Sequence, residues 1–422
     1  MLSLSQSIIV NIGADYIETY LKSKGITRNL DENSQDLKYW IDGLLQENKI
    51  DVIDFEDFLF NELFWGKRKT IQVYKLTNVR KYRYLEDWEC PLEEKFNIHT
   101  LNFCDILCTL PNKEETKKIA AVWSYENSRG ELTKIRILFV EYIQINDTNG
   151  YTDSFVYIPV ELDFSKKIMI IKAWARQNVA HDNQKAEKLM LDIVEILKKD
   201  FKVKTKNYFL EHKKILFLMS KSLINEAYSH ISAYNEIDKV EKSLKDFINN
   251  VLRELPLSNV ISKENGKVTL IKGVMEFEAE IRNVLETLTV SDYFFNRDFD
   301  EIWKMGLKAV VARVKFNDKE SVLTSLSGEN TATPIFCTKT FMSLKNRIEE
   351  SERIETLWIT MNRKRGNLNL KFDASNTEYL GILIKYGIRF NEADMNLALS
   401  IYENYEKEFI KQTETNSRIA VG

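Results

Sequence analysis

The 422-residue chain has little of what punctuates or staples a protein: five prolines, fourteen glycines, four cysteines and four histidines. So little Pro and Gly excludes collagenous, linker-rich and low-complexity architectures. Four cysteines in a chain this long are no disulfide framework. The histidines, His99, His181, His212 and His230, are too few for a multi-histidine metal centre. Neither G-x-x-x-x-G-K-[ST] nor G-x-G-x-x-G occurs, so the common phosphate-cradling loops are missing. G-x-S-x-G and H-E-x-x-H are absent too. The best apolar runs, such as Ile168–Ile171 and Ile215–Met219, are strand or short-helix pieces, which excludes a spanning helix. The first twenty residues carry no basic n-region and reach Asp15 and Glu18 early, unlike a secretory signal or transit peptide. A cytoplasmic location is the expectation.

What is present is globular. Hydrophobic residues make up 44% and charged residues 29%, and the length suggests two or three domains. Sixty Lys+Arg stand against sixty-three Asp+Glu, a net charge of −3, so any nucleic-acid role must rest on local patches.

The expected fold class is α+β: an N-terminal helical module, an antiparallel β-meander domain with covering helices, and a second, mixed α/β C-terminal domain. Residues 1–66 carry apolar positions at helical spacing, with Gly25 as a C-cap, Ser34 as an N-cap and a third helix after Asp54. This module is acidic, with five Lys/Arg against eleven Asp/Glu through residue 60. The period changes over 67–255. Thr70–Leu76, Ala121–Tyr125, Lys134–Ile145, Phe155–Phe164 and Ile168–Trp174 read as strands, joined by turns at 128–131, 146–150 and 165–167. Helical spacing over Asp182–Lys199 suits a helix covering one sheet face. Glu211–Tyr234 and Ile237–Leu255 read as helices, and 256–266 as a linker. Residues 267–412 mix helix and strand. They hold a hairpin over Leu357–Asp373 and final helices near Thr377–Tyr386 and Glu392–Lys411, ahead of a polar tail over 413–422.

Two basic features point to phosphate. Phe201–Lys206 alternates, placing Lys202, Lys204 and Lys206 on one strand face with ammonium groups about every 6.6 Å, comparable to the phosphate repeat of a nucleic-acid strand. Lys213 and Lys214 extend the patch. Such lysines also guard edge strands against aggregation. The second feature is the tip of the Leu357–Asp373 hairpin, where Arg363, Lys364 and Arg365 follow one another and Lys371 lies on the returning strand. A solvated loop reads the same way. Lys67-Arg68-Lys69 forms a third cluster, where the acidic helices meet the sheet.

Three chemical patterns remain. Asp200 and Glu211-His212-Lys213 have a D-x10-E-x-K spacing that resembles the core of the PD-(D/E)xK nucleases. That resemblance implies two carboxylates on Mg2+ and a lysine activating water. Arg176 and His181 match an R-x4-H pattern used by some helical ribonucleases. Cys90, His99, Cys104 and Cys108 have structural-zinc ligand types, but lack the C-x2-C knuckle, so buried or ordinary thiols are the plainer reading.

The balance is against catalysis, and no cofactor is expected. The preferred expectation is a non-catalytic nucleic-acid-binding subunit of a cytoplasmic multi-protein assembly, of the kind a bacterial phage-defence complex would use, contacting DNA or RNA backbone through its basic patches. The alternatives are a Mg-dependent PD-(D/E)xK-like nuclease and a protein-binding scaffold whose acidic N-terminal helices dock a basic partner.

Overall fold

The computed structural model describes residues 2–28, 36–148, 150–264, 267–271, 277–294, 299–317, 323–328, 334–363, 366–385 and 389–421. The fold is mixed α+β. It divides into two compact units, Met1–Phe209 with Asn376–Ala398, and Leu210–Ser375 with Leu399–Gly422. The acidic helices thus share a unit with the strands that follow them, and the 256–266 stretch lies inside the second unit.

The first unit opens with helices α1 (Gln6–Ile12), α2 (Ala14–Ser23), α3 (Leu37–Gln46) and α4 (Val52–Phe64). Gly13, at φ 115°, splits α1 from α2, which periodicity alone would join. Gly25 (φ 80°) follows α2, and the Ile26 amide closes back on the Leu21 carbonyl at 2.9 Å, the usual glycine-ended stop. Asp36 and Asp51 cap α3 and α4 through their carboxylates. Ser34, the cap expected from sequence, lies outside the described residues.

The sheet follows: β1 (Thr70–Thr77), α5 (Glu86–Phe96), β2 (Phe103–Cys104), β3 (Lys117–Glu126), β4 (Leu132–Asp147), β5 (Gly150–Asp163), β6 (Ile168–Ala173), α6 (Ala186–Lys199) and β7 (Lys204–Lys206). Strands β3 to β6 form the expected antiparallel meander, with β1 paired to β6. One face is a wide apolar core. Leu189, Met190, Ile193, Val194 and Leu197 of α6 are buried there against Ile137, Phe139, Val160 and Ile171, and Trp88 and Leu92 of α5 join them. Each such side chain contributes about 1.5–3 kcal/mol. Helices α1 and α4 pack on β5.

The second unit carries α7 (Glu211–Ser229), α8 (Ser232–Asn235), α9 (Glu241–Glu254), the hairpin β8 (Ile261–Glu264) and β9 (Lys267–Leu270), α10 (Phe277–Tyr293), β10 (Ala309–Asn317), β11 (Leu323–Ser327), α11 (Lys339–Ser351), β12 (Thr356–Met361) and β13 (Leu368–Asp373). Antiparallel strands run in the order β11-β10-β12-β13, and α7 packs on β10 and β12. The hairpin expected over Leu357–Asp373 is β12–β13, with Leu357, Ile359, Leu370 and Phe372 buried on one face.

One expected helix is a strand. Leu380–Lys385 forms β14, which pairs antiparallel with β1 in the first unit. Leu380, Ile382 and Ile384 are buried in alternation. A short apolar run does not declare its period, and the open edge of β1 decides it. The last helix, α12 (Glu392–Val421), is shared out between the units at Ala398. Among the described residues, no helix is long and apolar enough to cross a membrane.

Candidate nucleic-acid interface

Strand β7 is short because its flanks are spoken for. Phe201 and Val203 are buried in the core beneath α5 and α6. Between them Lys202 takes the left-handed conformation (φ 58°), so it turns a corner instead of extending the strand. The expected three-lysine stripe is therefore two lysines, Lys204 and Lys206, plus a third at the bend. Strand β7 lies on the edge of β1 that β14 leaves open, with Lys206 opposite Lys75 and Lys204 opposite Thr77. The Lys75 ammonium sits 4.6 Å from the Tyr208 ring centroid.

Tertiary contacts add cations from elsewhere in the chain. In the β5–β6 turn, Asp163 accepts from Ser165 Oγ (2.5 Å) and the Lys166 amide (2.8 Å), and Lys167 closes the turn at φ 56°. The Lys167 carbonyl accepts the Leu76 amide at 2.8 Å, which holds this turn against the end of β1. Beyond β1, Asn78 (φ 58°) redirects the chain into a 3-10 turn, Val79–Tyr82, which exposes Arg80 and Lys81. The Tyr82 hydroxyl donates to the Lys202 carbonyl, and Lys202 Nζ donates to the Lys199 carbonyl at 2.9 Å.

Arg80, Lys81 and Lys167 thus join Lys199, Lys202, Lys204 and Lys206 at one end of the sheet, all exposed. Among the described residues none of these seven has a carboxylate partner, whereas the flanking Lys198 pairs with Glu195 and Glu378, and Lys95 with Asp200. The acidic first turn of α5 (Glu86, Asp87, Glu89) follows this segment in sequence.

The other basic residues singled out from sequence lie in the second unit. Lys213 holds Glu355 at 2.6 Å, both side chains more than four-fifths buried. Its charge is matched internally. Lys214 is exposed. At the hairpin, Arg363 Nε donates to the Gly366 carbonyl at 3.0 Å, and Lys364 and Arg365 lie outside the described residues. Lys371 pairs with Asp373 at 2.5 Å and sits 5.2 Å from the Trp358 centroid, while Arg313 reaches the same ring at 4.8 Å. Arg313, Trp358 and Lys371 are direct cross-strand neighbours on β10, β12 and β13, so this face offers an aromatic flanked by two cations.

The nuclease-like residues are arranged otherwise than the resemblance implies. Glu211 is the exposed first residue of helix α7, not part of a strand, and Asp200 ends α6 in the other unit. Buried His212 reaches the Ala374 carbonyl with Nε2 at 2.6 Å, which fixes the start of α7 structurally. Among the described residues, no group of three or more His, Cys, Asp and Glu could hold a metal ion. Cys90 and Cys108 are exposed, and Cys104 lies against the Glu56 carbonyl at 3.7 Å. Burial, aided by the Glu56 charge, pushes the Cys104 thiol up to about 12. Arg176 donates to Ser154 Oγ (2.9 Å) and His181 contacts Gln144 (3.0 Å), so each side chain of the R-x4-H pattern is engaged with a different partner.

Charge is also buried where no motif announced it. Beneath α4, Arg136 on β4 donates to Glu161 on β5 at 2.6 Å and contacts Glu392, and Lys134 reaches Glu161 at 3.3 Å. Lys172 on β6 is fully buried. Its ammonium lies 3.2 Å from the Trp65 centroid and 3.8 Å from that of Phe64, without a hydrogen-bond partner among the described residues. Burial drives its pKa well below the ordinary lysine value, against the pull of Glu161. A lysine amid apolar strand residues gave no signal in the sequence, because its alternation looks like that of any strand. No family model matches the chain, and no curated protein matches its sequence.

Proposed function

We propose that this protein binds nucleic acid without acting on it, as a backbone-contacting subunit of a larger assembly. The observation that carries the reading is the set of seven exposed cations around β7 in the first unit, none matched by a carboxylate among the described residues. Elsewhere this chain pairs its lysines freely, as at Lys213–Glu355 and Lys371–Asp373. Like charges gathered without counter-charge repel one another, and a polyanion offsets that cost while releasing its own condensed counterions. The alternating Lys204 and Lys206 recur at about 6.6 Å, a spacing suited to successive phosphates.

The test is a binding titration against salt with duplex and single-stranded probes. The affinity should fall steeply, with a slope near −0.9 per neutralised phosphate on duplex and about −0.7 on single strands. Lys202→Glu, Lys204→Glu and Lys206→Glu together should flatten the slope for all sequences alike. The tertiary assembly makes a sharper demand: Arg80→Glu with Lys81→Glu, or Lys167→Glu, should flatten it too, although these residues are remote in sequence. Affinity unchanged in all of these variants, or none measurable at about 50 mM salt, removes the reading.

A further inference from the structure

At the other end of β1, a second group of cations converges around one indole. Lys67 and Arg68 precede β1, and Trp174 and Arg176 follow β6; the pairing of Thr70 with Ala173 brings the two segments together. Lys67 Nζ lies 4.7 Å from the Trp174 centroid and the Arg176 guanidinium 5.1 Å from it. All three side chains are partly exposed. Behind them Arg68 is fully buried. Its two terminal nitrogens donate to Asn11, to the carbonyl at 3.1 Å and to Oδ1 at 2.7 Å, while its Nε has no partner among the described residues. The Tyr157 ring is 5.9 Å from that guanidinium, and its buried hydroxyl also lacks a hydrogen-bond partner among the described residues. Among the described residues, no carboxylate pairs with Lys67, Arg68 or Arg176.

We propose that Lys67, Arg176 and Ser154 form a binding site for a phosphate group, with Arg68 as the buried charge behind it. Three guanidinium or ammonium groups held this close, one of them out of water, impose a positive field that no carboxylate among the described residues cancels. Burial, with the neighbouring charges of Arg68 and Arg176, pushes the Lys67 ammonium below its ordinary value. Burial lowers Arg68 to about 9, so both arginines stay charged at neutral pH, and an anion would offset the charge that their neutral acceptors only partly satisfy.

The donor geometry selects among anions. Arg176 gives one terminal nitrogen to Ser154 Oγ at 2.9 Å and keeps its remaining N–H groups. Ser154 and Ser7 lie Oγ to Oγ at 3.4 Å, and Lys67 has one contact to the Val10 carbonyl at 2.8 Å, leaving further ammonium protons. These donors come from separate segments of the chain. That suits a tetrahedral oxyanion with three or more acceptor oxygens better than a planar carboxylate, which takes a single arginine fork. The ligand chemistry is a phosphate monoester, carried either by the end of a nucleic-acid strand or by a small phosphorylated molecule. This site is independent of the β7 patch, because seven residue steps of β1 separate them by about 23 Å.

The experiment measures melting and calorimetric binding of the full-length chain with inorganic phosphate, against chloride at matched ionic strength. Phosphate should raise the melting temperature and bind saturably. Lys67→Met and Arg176→Gln should each weaken binding at least tenfold, and Lys202→Glu/Lys204→Glu/Lys206→Glu should leave it intact. Two competitors separate the sources. A 5′-phosphorylated trinucleotide that displaces phosphate where its 5′-hydroxyl twin does not identifies a strand end. Displacement by ribose 5-phosphate alone identifies a small molecule. Equal stabilisation by phosphate and chloride in the wild-type protein overturns the proposal without recourse to any variant. Phosphate binding undiminished in Lys67→Met and Arg176→Gln overturns it as well.

Discussion

Replacing Lys172 by methionine should make the protein more stable, and the gain should depend on pH. The lysine is 0% exposed, packed on Trp65 and Phe64, and its ammonium has no hydrogen-bond partner among the described residues. Methionine is close to the same length and keeps the packing. Its removal does not strand Glu161, which retains Arg136 at 2.6 Å and Lys134 at 3.3 Å. Exchanging buried charge for a well-packed apolar side chain stabilises by about 1–4 kcal/mol. Against this stands a lost contact with two desolvated rings of about 2 kcal/mol, so the net gain at neutral pH should be positive but no more than about 2 kcal/mol. For a unit of this size that is a rise of up to about 8 °C. The sign with pH follows from the depressed folded-state pKa. Above the unfolded value of 10.5 the lysine is neutral in both states and costs nothing for charge. As pH falls below that value the unfolded chain takes the proton first, so wild-type stability drops until the folded-state pKa is reached. The advantage of Lys172→Met should therefore shrink as pH rises toward 10.5. Thermal melts of both proteins at pH 7 and pH 10 measure it. A variant less stable than wild type at pH 7, or a difference that grows at pH 10, would refute the reasoning. Glu161→Gln is the counterpart: it removes the charge that Arg136 and Lys172 share and should cost about 3–5 kcal/mol in the same melts.

Two further outcomes follow from the fold. Burial, opposed by Lys117 at 3.5 Å, raises Glu141 from 4.5 to about 7. Its contribution is full below pH 4.5 and disappears as pH rises through 7, so Glu141→Gln should flatten stability across that window and gain up to about 3 kcal/mol above it; a pH-stability profile that keeps its wild-type slope between 4.5 and 7 would sink this. Gly66 has φ 28°, and a Cβ there would meet the Glu62 carbonyl oxygen at 2.5 Å. Gly66→Ala should cost about 1–3 kcal/mol in chemical denaturation, and a neutral result would mean that the turn between α4 and β1 relaxes freely.

Local pattern by itself determined the elements whose periodicity is long and unambiguous. The meander β3–β6 shows in alternation and turn residues, because a half-buried strand must alternate and a tight turn needs residues such as Gly130 or Lys167 in the left-handed region. The β12–β13 hairpin and helix α6 were legible for the same reason. Leu380–Lys385 was not, since its run of apolar residues fits either period until β1 offers it an edge. Glu211 likewise reads as a strand end or a helix start, and the packing of α7 on β10 and β12 makes it a helix. Charge is where sequence says least. It counts Lys202, Lys204, Lys206 and Lys213 as alike, yet the fold sets the first three in the open and closes the fourth on Glu355, 142 positions away. Nor does it bring Lys67 to Arg176 or Lys172 to Trp65. A charged side chain's pairing is decided by whichever segment lies across the next strand, and that neighbour is fixed only when the whole sheet closes.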